Sequence, residues 1–485
     1  MGSLSWRHSF REVRCAVSSA DAPSLVVAEH LRRPVRPGTA ARAVQTASAL
    51  VGLTGVLVLT RFFWTKVEFS TEATGWILLP AFLACCALVA AAQFMLGARL
   101  VIRNSGIAIT SFLVYFCIRL VTDAHTGRDI IGYTLGYAEG VLFGYGVGVL
   151  TRLLLDSVAA TDGSAIRSLG STLLVAMNLW AIISIEQTAH ADNRFHKLFQ
   201  LIDNETYQVS GALMSVIAII MWMSVLRAMD DGTRFVSRCR RFLVVLAAVA
   251  ASAASVRLAQ LLGSNSSPLF VGVASVLALA TAVIPMQEQS NLGRTRGSPR
   301  LVRQIGLLTL VVVFLGLVTL AAVAAAVWVE AIDLSHYRFF GFQEETLFNA
   351  SVESRLAILN RNFAIHLQHS LVLGNMFVDR ATTGDGTYAH SLIALLPHLG
   401  IVGTALFVVM SGALFIQLRQ QWKQSISRAG DQRLALFGVV IVSWVFAFML
   451  ASTFFTNIVL WFSLGSLAPA VQLIRTRGGA SAETR

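Results

Sequence analysis

The sequence predicts an all-α polytopic membrane protein, and three observations support this prediction. Only 13% of the 485 residues are charged, whereas a soluble domain has about a quarter. Hydrophobic residues make up 55% of the chain, and the mean hydropathy is +0.67. The apolar residues form blocks of roughly 18 to 25, which as helices are long enough to cross a hydrocarbon core of about 30 Å.

About twelve such blocks are predicted to form transmembrane helices. The third and fourth are interrupted by the polar run 123–128 and by Glu139, and Pro80 and Pro397 are expected to break the spans that contain them. The predicted spans are residues 43–64, 75–96, 106–122, 137–155, 168–186, 208–226, 242–262, 268–286, 305–329, 390–418, 434–452 and 457–474.

The lysines and arginines predict which ends of the spans face the cytoplasm. With the N-terminus inside, the inner segments hold 26 of the 38 basic residues and the outer segments hold eight. Positive charge is enriched in cytoplasmic loops, so both termini are predicted to be cytoplasmic. The same rule accounts for the net charge of +12, and we therefore expect no nucleic-acid partner.

The predicted spans divide the chain into five parts. Residues 1–42 form a basic tail with seven arginines, which we expect to be disordered and attracted to lipid. This tail has no apolar signal-peptide core, so the first span is expected to serve as the insertion signal. The remaining parts are spans 1–9 (43–329), a large outer loop with short helices (330–389), spans 10–12 (390–474) and a cytoplasmic tail (475–485).

The long outer loop holds most of the polar chemistry. Residues 351–367 repeat apolar side chains at helical spacing, which predicts an amphipathic helix on the membrane surface with Arg355 and Arg361 on its polar face. Turns containing glycine follow, and glycine allows the backbone to approach a ligand closely. Tyr388 and His390 then stand at the mouth of the tenth span.

Other polar residues on the outer side are less informative alone. Arg194 and Asn204 lie in the second outer loop, residues 187–207. Arg257 lies about one turn from the outer end of the seventh span, and an arginine within a membrane is a candidate functional residue. Arginines nearer to span ends, such as Arg119, are expected to reach the lipid headgroups.

Together these residues favour phosphate chemistry at the water–lipid boundary. A guanidinium binds phosphate bidentately and keeps its charge, and a neutral imidazole accepts a proton from a sugar hydroxyl. The five cysteines show neither a disulfide framework nor metal-ligand spacing. We therefore expect no metal or cofactor, and arginines would stabilise a departing pyrophosphate. The resulting hypothesis is group transfer from a lipid pyrophosphate to a hydroxyl acceptor.

The order of these residues resembles the superfamily of O-antigen ligases and O-antigen polymerases, which are bacterial inner-membrane glycosyltransferases. The resemblance covers roughly residues 170–420 and is stronger in order and topology than in identity. It rests on Arg194 with Asn204, Ser255-Val256-Arg257, Ser354-Arg355 with Leu373-Gly374-Asn375, and His390-Ser391 followed by Gly400-x-x-Gly403. The last of these is the most specific, whereas Val256 separates a serine and an arginine that are usually adjacent in the family.

The resemblance implies a C-type glycosyltransferase fold that acts in the periplasm, without metal, on glycan carried by undecaprenyl pyrophosphate. His390 would activate the acceptor hydroxyl, and Arg355 would bind the donor pyrophosphate with help from Arg194 and Arg257. Candidates for glycan contacts are Tyr388, Asn204 and Arg361. The expected partners are the lipid-linked donor, a hydroxyl acceptor glycan, membrane lipids, and a chain-length regulator or flippase.

Several activities stay open at this point. A polymerase joins lipid-linked repeat units into exopolysaccharide, capsule or O-antigen, and a ligase moves finished O-antigen onto lipid A-core. We favour the polymerase because that branch is more numerous and diverse. A transporter or flippase for lipid-linked sugars would need charged or broken-helix sites near the midplane in both halves, whereas the polar residues concentrate on the outer side. A non-catalytic scaffold in an export complex would leave the His390 arrangement unexplained.

Overall fold

Helices dominate the architecture. The computed structural model describes residues 38–67, 72–124, 130–160, 164–191, 206–229, 235–261, 266–283, 350–383, 392–427, 432–449, 455 and 457–475. The predicted ninth span, residues 305–329, lies outside the described residues, as does most of the N-terminal tail. Within the described part the chain is almost entirely helical, which confirms the all-α prediction in its coarse form.

The elements follow one another as a series of helices with one small two-stranded sheet. The first group is α1 (Thr39–Val67), α2 (Glu72–Met95), β1 (Ala98–Ile102), α3 (Asn104–Asp123), α4 (Ile130–Ala138), α5 (Gly144–Ala159), α6 (Ser164–Ala191), α7 (Thr206–Met229), α8 (Phe235–Leu261) and α9 (Ser266–Val283). The second group is α10 (Ala350–Ser370), α11 (Val378–Thr382), α12 (Leu395–Ser427), α13 (Gln432–Phe448), α14 (Ile458–Leu467) and β2 (Val471–Arg475).

Eight of the described helices are long and apolar enough to cross a membrane, and α9, α13 and α14 are apolar but shorter. Large apolar side chains remain exposed on the outer surface of the bundle, among them Ile77 (72%), Ile107 (70%) and Val408 (64%). A soluble monomer rarely exposes contiguous apolar surface of this kind, whereas hydrocarbon covers it at no cost. The protein is therefore a multi-pass membrane protein, and the number twelve remains a prediction.

The positions of the helix breaks differ from expectation. Pro80 lies inside the continuous helix α2, and Pro397 lies in the first turn of α12. Proline is tolerated in the first turn, because a backbone N–H there has no acceptor within the helix. The break in α12 is instead at Gly400, whose φ is 65°. In the fourth span, α4 continues into α5 through a π-helical turn, Glu139–Phe143, so the acidic residue does not end the helix.

The predicted helix over residues 457–474 is wrong in its second half. Helix α14 ends at Leu467, and β2 pairs antiparallel with β1 so that Leu473 lies opposite Leu100. Pro469 accounts for the helix end, since proline removes a backbone donor and restricts the preceding residue. Ten helical residues rise only about 15 Å, so α14 cannot cross a bilayer alone.

Helix α14 lies at the centre of the bundle. All ten of its residues are buried, and it packs on α5 at a pair of glycines. A Cβ on Gly148 would overlap the carbonyl oxygen of Phe462, and one on Gly465 would overlap that of Tyr145. The two helix backbones therefore touch directly, as is common between helices in membranes.

The sheet defines one end of this bundle, which we call the sheet end. Helix α3 begins just after β1, and its 20 residues rise about 30 Å to Asp123. Asp123 therefore marks the opposite end, which we call the distal end, and the candidate functional site lies there.

Candidate functional site

The loop that follows α10 crosses the start of α12 at the distal end. The N–H of Ile401 donates to the carbonyl oxygen of Leu371 at 2.9 Å, and the N–H of Asn375 donates to that of Pro397 at 3.0 Å. We call this contact between residues 371–376 and 397–402 the crossover. It joins two segments that are 26 residues apart in the sequence and that both carried the family resemblance.

Glycine is required where the two backbones meet. Gly374 has φ 78° and Gly400 has φ 65°, a region that other residues adopt only with strain. A Cβ on Gly374 would overlap the backbone nitrogen of Gly400 and the carbonyl oxygen of His398. Two of the three glycines in the predicted motifs are thus explained by backbone packing.

The third glycine makes room for a tyrosine from α3. A Cβ on Gly403 would lie 2.7 Å from Cε1 of Tyr115, so a side chain there would displace the tyrosine ring. The hydroxyl of Tyr115 lies within hydrogen-bond distance of two carbonyl oxygens, that of Leu373 at 2.7 Å and that of Leu399 at 3.1 Å. One belongs to each segment of the crossover. Tyr115 therefore fixes the two segments to one another.

An arginine and an aspartate at the end of α3 hold the loop. Arg119 Nη2 lies 2.6 Å from Asp123 Oδ1 and donates to the carbonyl oxygen of Gly374, also at 2.6 Å. Asp123 Oδ2 accepts from the N–H of Met376 at 2.8 Å. The side chains are only 16% and 10% exposed, so Arg119 does not extend into the lipid headgroups as its sequence position suggests. Their i, i+4 spacing was the available signal for this pair.

Two buried histidines brace the same region. His398 Nδ1 donates to the carbonyl oxygen of Met376 at 2.9 Å, and His366 Nε2 lies 2.8 Å from Thr383 Oγ1. Burial lowers the pKa of His366, and the neighbouring His398 lowers it further. Both histidines therefore support the loop, whereas His369 is exposed and bonds the carbonyl oxygen of Ile365.

An aromatic cluster packs against the crossover. Phe377, the residue after Met376, stacks on Tyr137 of α4 with ring centroids 5.9 Å apart. Phe455 lies 5.4 Å from the Tyr137 ring and 5.5 Å from the His398 ring. The loop thus packs against the core, and α10 joins this loop through a single turn.

The predicted site residues are only partly within the described chain. His390, Tyr388, Arg194 and Asn204 lie outside the described residues, so the predicted meeting of His390, Arg355 and Arg194 remains a prediction.

The backbone of Arg355 and the exposed Arg361 both belong to α10, which confirms the helix predicted over residues 351–367. Arg257 is 68% exposed, and its Nε lies 3.2 Å from Glu186 Oε1.

The distal end therefore combines a rigid crossover with a helix that carries two arginines. Among the described side chains, no group of three His, Cys, Asp or Glu residues could hold a metal ion. Neither the protein-family models nor the curated proteins include a match to this sequence.

Proposed function

We propose that this protein is a membrane glycosyltransferase that polymerises oligosaccharide repeat units carried on undecaprenyl pyrophosphate, at the periplasmic face of the bacterial inner membrane. The observation that carries the proposal is the crossover. It connects α10, which bears Arg355 and Arg361, to the start of α12, which His390 precedes in the sequence.

The contact between the two segments supports a common site. The N–H of Ile401 bonds Leu371 and the N–H of Asn375 bonds Pro397, so the end of α10 is held against the start of α12. Arg355 precedes His366 by eleven residues, which is about 16 Å of helix.

His390 precedes His398 by eight residues. Leu392, two residues after His390, donates its N–H to the carbonyl oxygen of Met449 at 3.1 Å. Both candidate residues therefore belong to segments that the crossover brings together.

The chemistry of the proposed pair fits transfer from a pyrophosphate lipid. Arg355 would neutralise charge on the departing pyrophosphate, and His390 would take the proton from the attacking sugar hydroxyl. Arg194 and Arg257 would assist at the pyrophosphate. Arg257 would then exchange its exposed contact with Glu186 for phosphate, and an exposed ion pair costs little to open.

The ligase is the alternative within the same family. It would use the same donor site and differ in the acceptor, which would be lipid A-core. No described contact distinguishes the two acceptors, so the choice is left to experiment.

The test is reconstitution of the full chain in lipid nanodiscs with an undecaprenyl-pyrophosphate-linked oligosaccharide. A ladder of products without added acceptor supports the polymerase, and product only with lipid A-core supports the ligase. Unreacted donor under both conditions, with protein that retains its thermal unfolding transition, would contradict the proposal. Movement of intact donor between leaflets without new glycosidic bonds would indicate the transporter instead.

A further inference from the structure

A large cavity lies at the sheet end, far from the crossover. Its volume is about 1200 Å³, and it is formed by residues of α2, α3, α5, α12 and the two strands. Three of its lining residues are large apolar side chains exposed on the outer surface of the bundle: Phe94 (52%), Leu100 (56%) and Ile416 (60%). The cavity therefore adjoins the surface that the hydrocarbon covers.

The other part of the lining is polar. Arg103 Nη2 donates to Gln472 Oε1 at 2.6 Å. The amide oxygen of Gln421, turned towards Arg103, accepts from Nη1 at 3.2 Å. Six glutamines line this cavity: Gln93, Gln417, Gln420, Gln421, Gln424 and Gln472. Glutamine amides both donate and accept, so they suit a polar head group rich in oxygen.

Three arginines and an aspartate lie together beside this polar part. Asp156 lines the cavity and bonds both Arg152, at 3.0 Å, and Arg227. Arg227 is 5% exposed, and its Nε and Nη1 have no hydrogen-bond partner among the described residues. Arg103 lies near enough to Arg152 and Asp156 to interact with both electrostatically. Guanidinium groups gathered this closely favour the binding of an anion.

We propose that this cavity binds the phosphate head group of an anionic lipid. The phosphate would lie by Arg103 and Arg152, the glutamines would bond the remaining oxygens of the head group, and the hydrocarbon tail would leave past Phe94, Leu100 and Ile416. Arginine recognises phosphate through two parallel hydrogen bonds, which gives this contact its strength. A free phosphate would satisfy the charge but leave the apolar lining in contact with water.

The site is separate from the proposed transfer reaction. It lies at the start of α3, about 30 Å of helix from Asp123 at the distal end. Lipid binding can therefore succeed or fail independently of glycosyl transfer.

Binding of phosphatidylglycerol to the full-length protein in neutral detergent, followed by native mass spectrometry, tests the proposal. Diacylglycerol serves as the lipid without phosphate, and glycerol phosphate as the soluble head group. We expect saturable binding of phosphatidylglycerol, at least about tenfold weaker binding of diacylglycerol, and no competition by equimolar glycerol phosphate. Equal affinity for diacylglycerol, or competition by glycerol phosphate at equal concentration, would overturn the lipid-phosphate assignment.

Two substitutions locate the binding. Arg103→Gln should weaken binding of phosphatidylglycerol at least about tenfold, because a charged hydrogen bond is lost. Arg99→Gln is the matched control, since Arg99 is exposed on β1, four residues before Arg103, and does not line the cavity. An equal loss in both variants would indicate nonspecific attraction to the basic surface and refute the site.

A third substitution avoids the polar network. Ala413 lines the cavity, and Ala413→Phe should fill the path of the tail and weaken lipid binding while leaving the Arg103–Gln472 contact in place. If Arg103→Gln does not fold, lipid binding by the Ala413→Phe variant tests by itself whether the cavity is the lipid site. Unchanged binding in a folded Ala413→Phe protein would exclude the cavity as the lipid site.

Discussion

Gly374 and Gly400 meet backbone to backbone. A Cβ on Gly400 would lie 2.5 Å from the backbone nitrogen of Gly374, and both residues have positive φ. No side chain fits at either position, so this contact fixes where the loop after α10 crosses α12. The family resemblance identified these glycines through their spacing, and the structure supplies the physical reason for them.

Substitution of either crossover glycine should destabilise the protein. Gly374→Ala and Gly400→Ala each impose a conformation that costs about 1–2 kcal/mol for an L-residue, and the backbone overlap adds to it. The midpoint of thermal unfolding in detergent measures the loss. Gly412→Ala in the same helix is the control, because a Cβ there meets nothing within 4 Å. It should be neutral or stabilising by about 0.5–1 kcal/mol.

His390→Ala and Arg355→Ala should each reduce glycosyl transfer by at least about a hundredfold, the usual range for losing a general base or a charge-assisted contact. The initial rate of product formation in the reconstituted assay measures the effect. Arg361→Ala is the control and should have a weak effect, since Arg361 is assigned at most a glycan contact.

Normal product from a well-expressed His390→Ala variant would eliminate the catalytic role of that histidine. A large loss in Arg361→Ala would show that the phosphate-binding arginine is six residues, or about 1.7 turns, further along α10 than proposed.

The Arg119–Asp123 pair should show strong energetic coupling. Each single substitution, Arg119→Gln or Asp123→Asn, leaves a mostly buried charge without its partner. The loss of unfolding free energy in the double variant should therefore be smaller than the sum of the two single losses, by about 1–3 kcal/mol. Unfolding of the four proteins under one set of conditions gives the coupling energy.

The Arg257–Glu186 pair supplies the control cycle for this measurement. Arg257 is 68% exposed and Glu186 is 23% exposed, so this pair is less buried than Arg119–Asp123 and should show weaker coupling. Equal coupling in the two cycles would mean that burial does not strengthen the Arg119–Asp123 contact.

Acid should destabilise the loop through His366. Its pKa in the folded protein is lowered by burial and by His398, so the unfolded chain binds the proton first as the pH falls below about 6.5. The stability that neutral His366 contributes is fully present above that pH and is lost as the pH falls towards the lowered pKa.

His366→Gln should therefore flatten the fall in thermal midpoint between about pH 7 and pH 5. His369→Gln is the control on the same helix and should change the slope much less, because His369 is exposed and contributes least to the lowered pKa of His366. Identical slopes in the His366→Gln and unaltered proteins would contradict this account.

Several spans were predictable from the sequence to within a few residues. The third was predicted at residues 106–122 and is Asn104–Asp123, and the sixth was predicted at residues 208–226 and is Thr206–Met229. Hydropathy identifies such helices directly, because a helix that crosses the hydrocarbon core needs apolar side chains along its whole length. The interruption at Glu139 was misleading, since a π turn carries the helix through it.

Contacts between distant segments were not predictable in the same way. Pairing of β1 with β2 joins residues nearly four hundred positions apart, and no local pattern in either strand specifies the other. The crossover was anticipated only as two glycine motifs, and Tyr115 and Arg119 of α3, which fix it, were not identified. Their roles depend on which helix lies beside the loop, and that is a property of the packing.

Helix α14 also constrains how the protein is made. At ten residues it is too short to enter a bilayer as an independent span, and every one of its side chains is covered by neighbouring helices. Its place against Gly148 exists only after α5 has been inserted, and β2 can pair only once β1 is already in position. Helix α14 therefore takes its place only against helices that are already assembled around it.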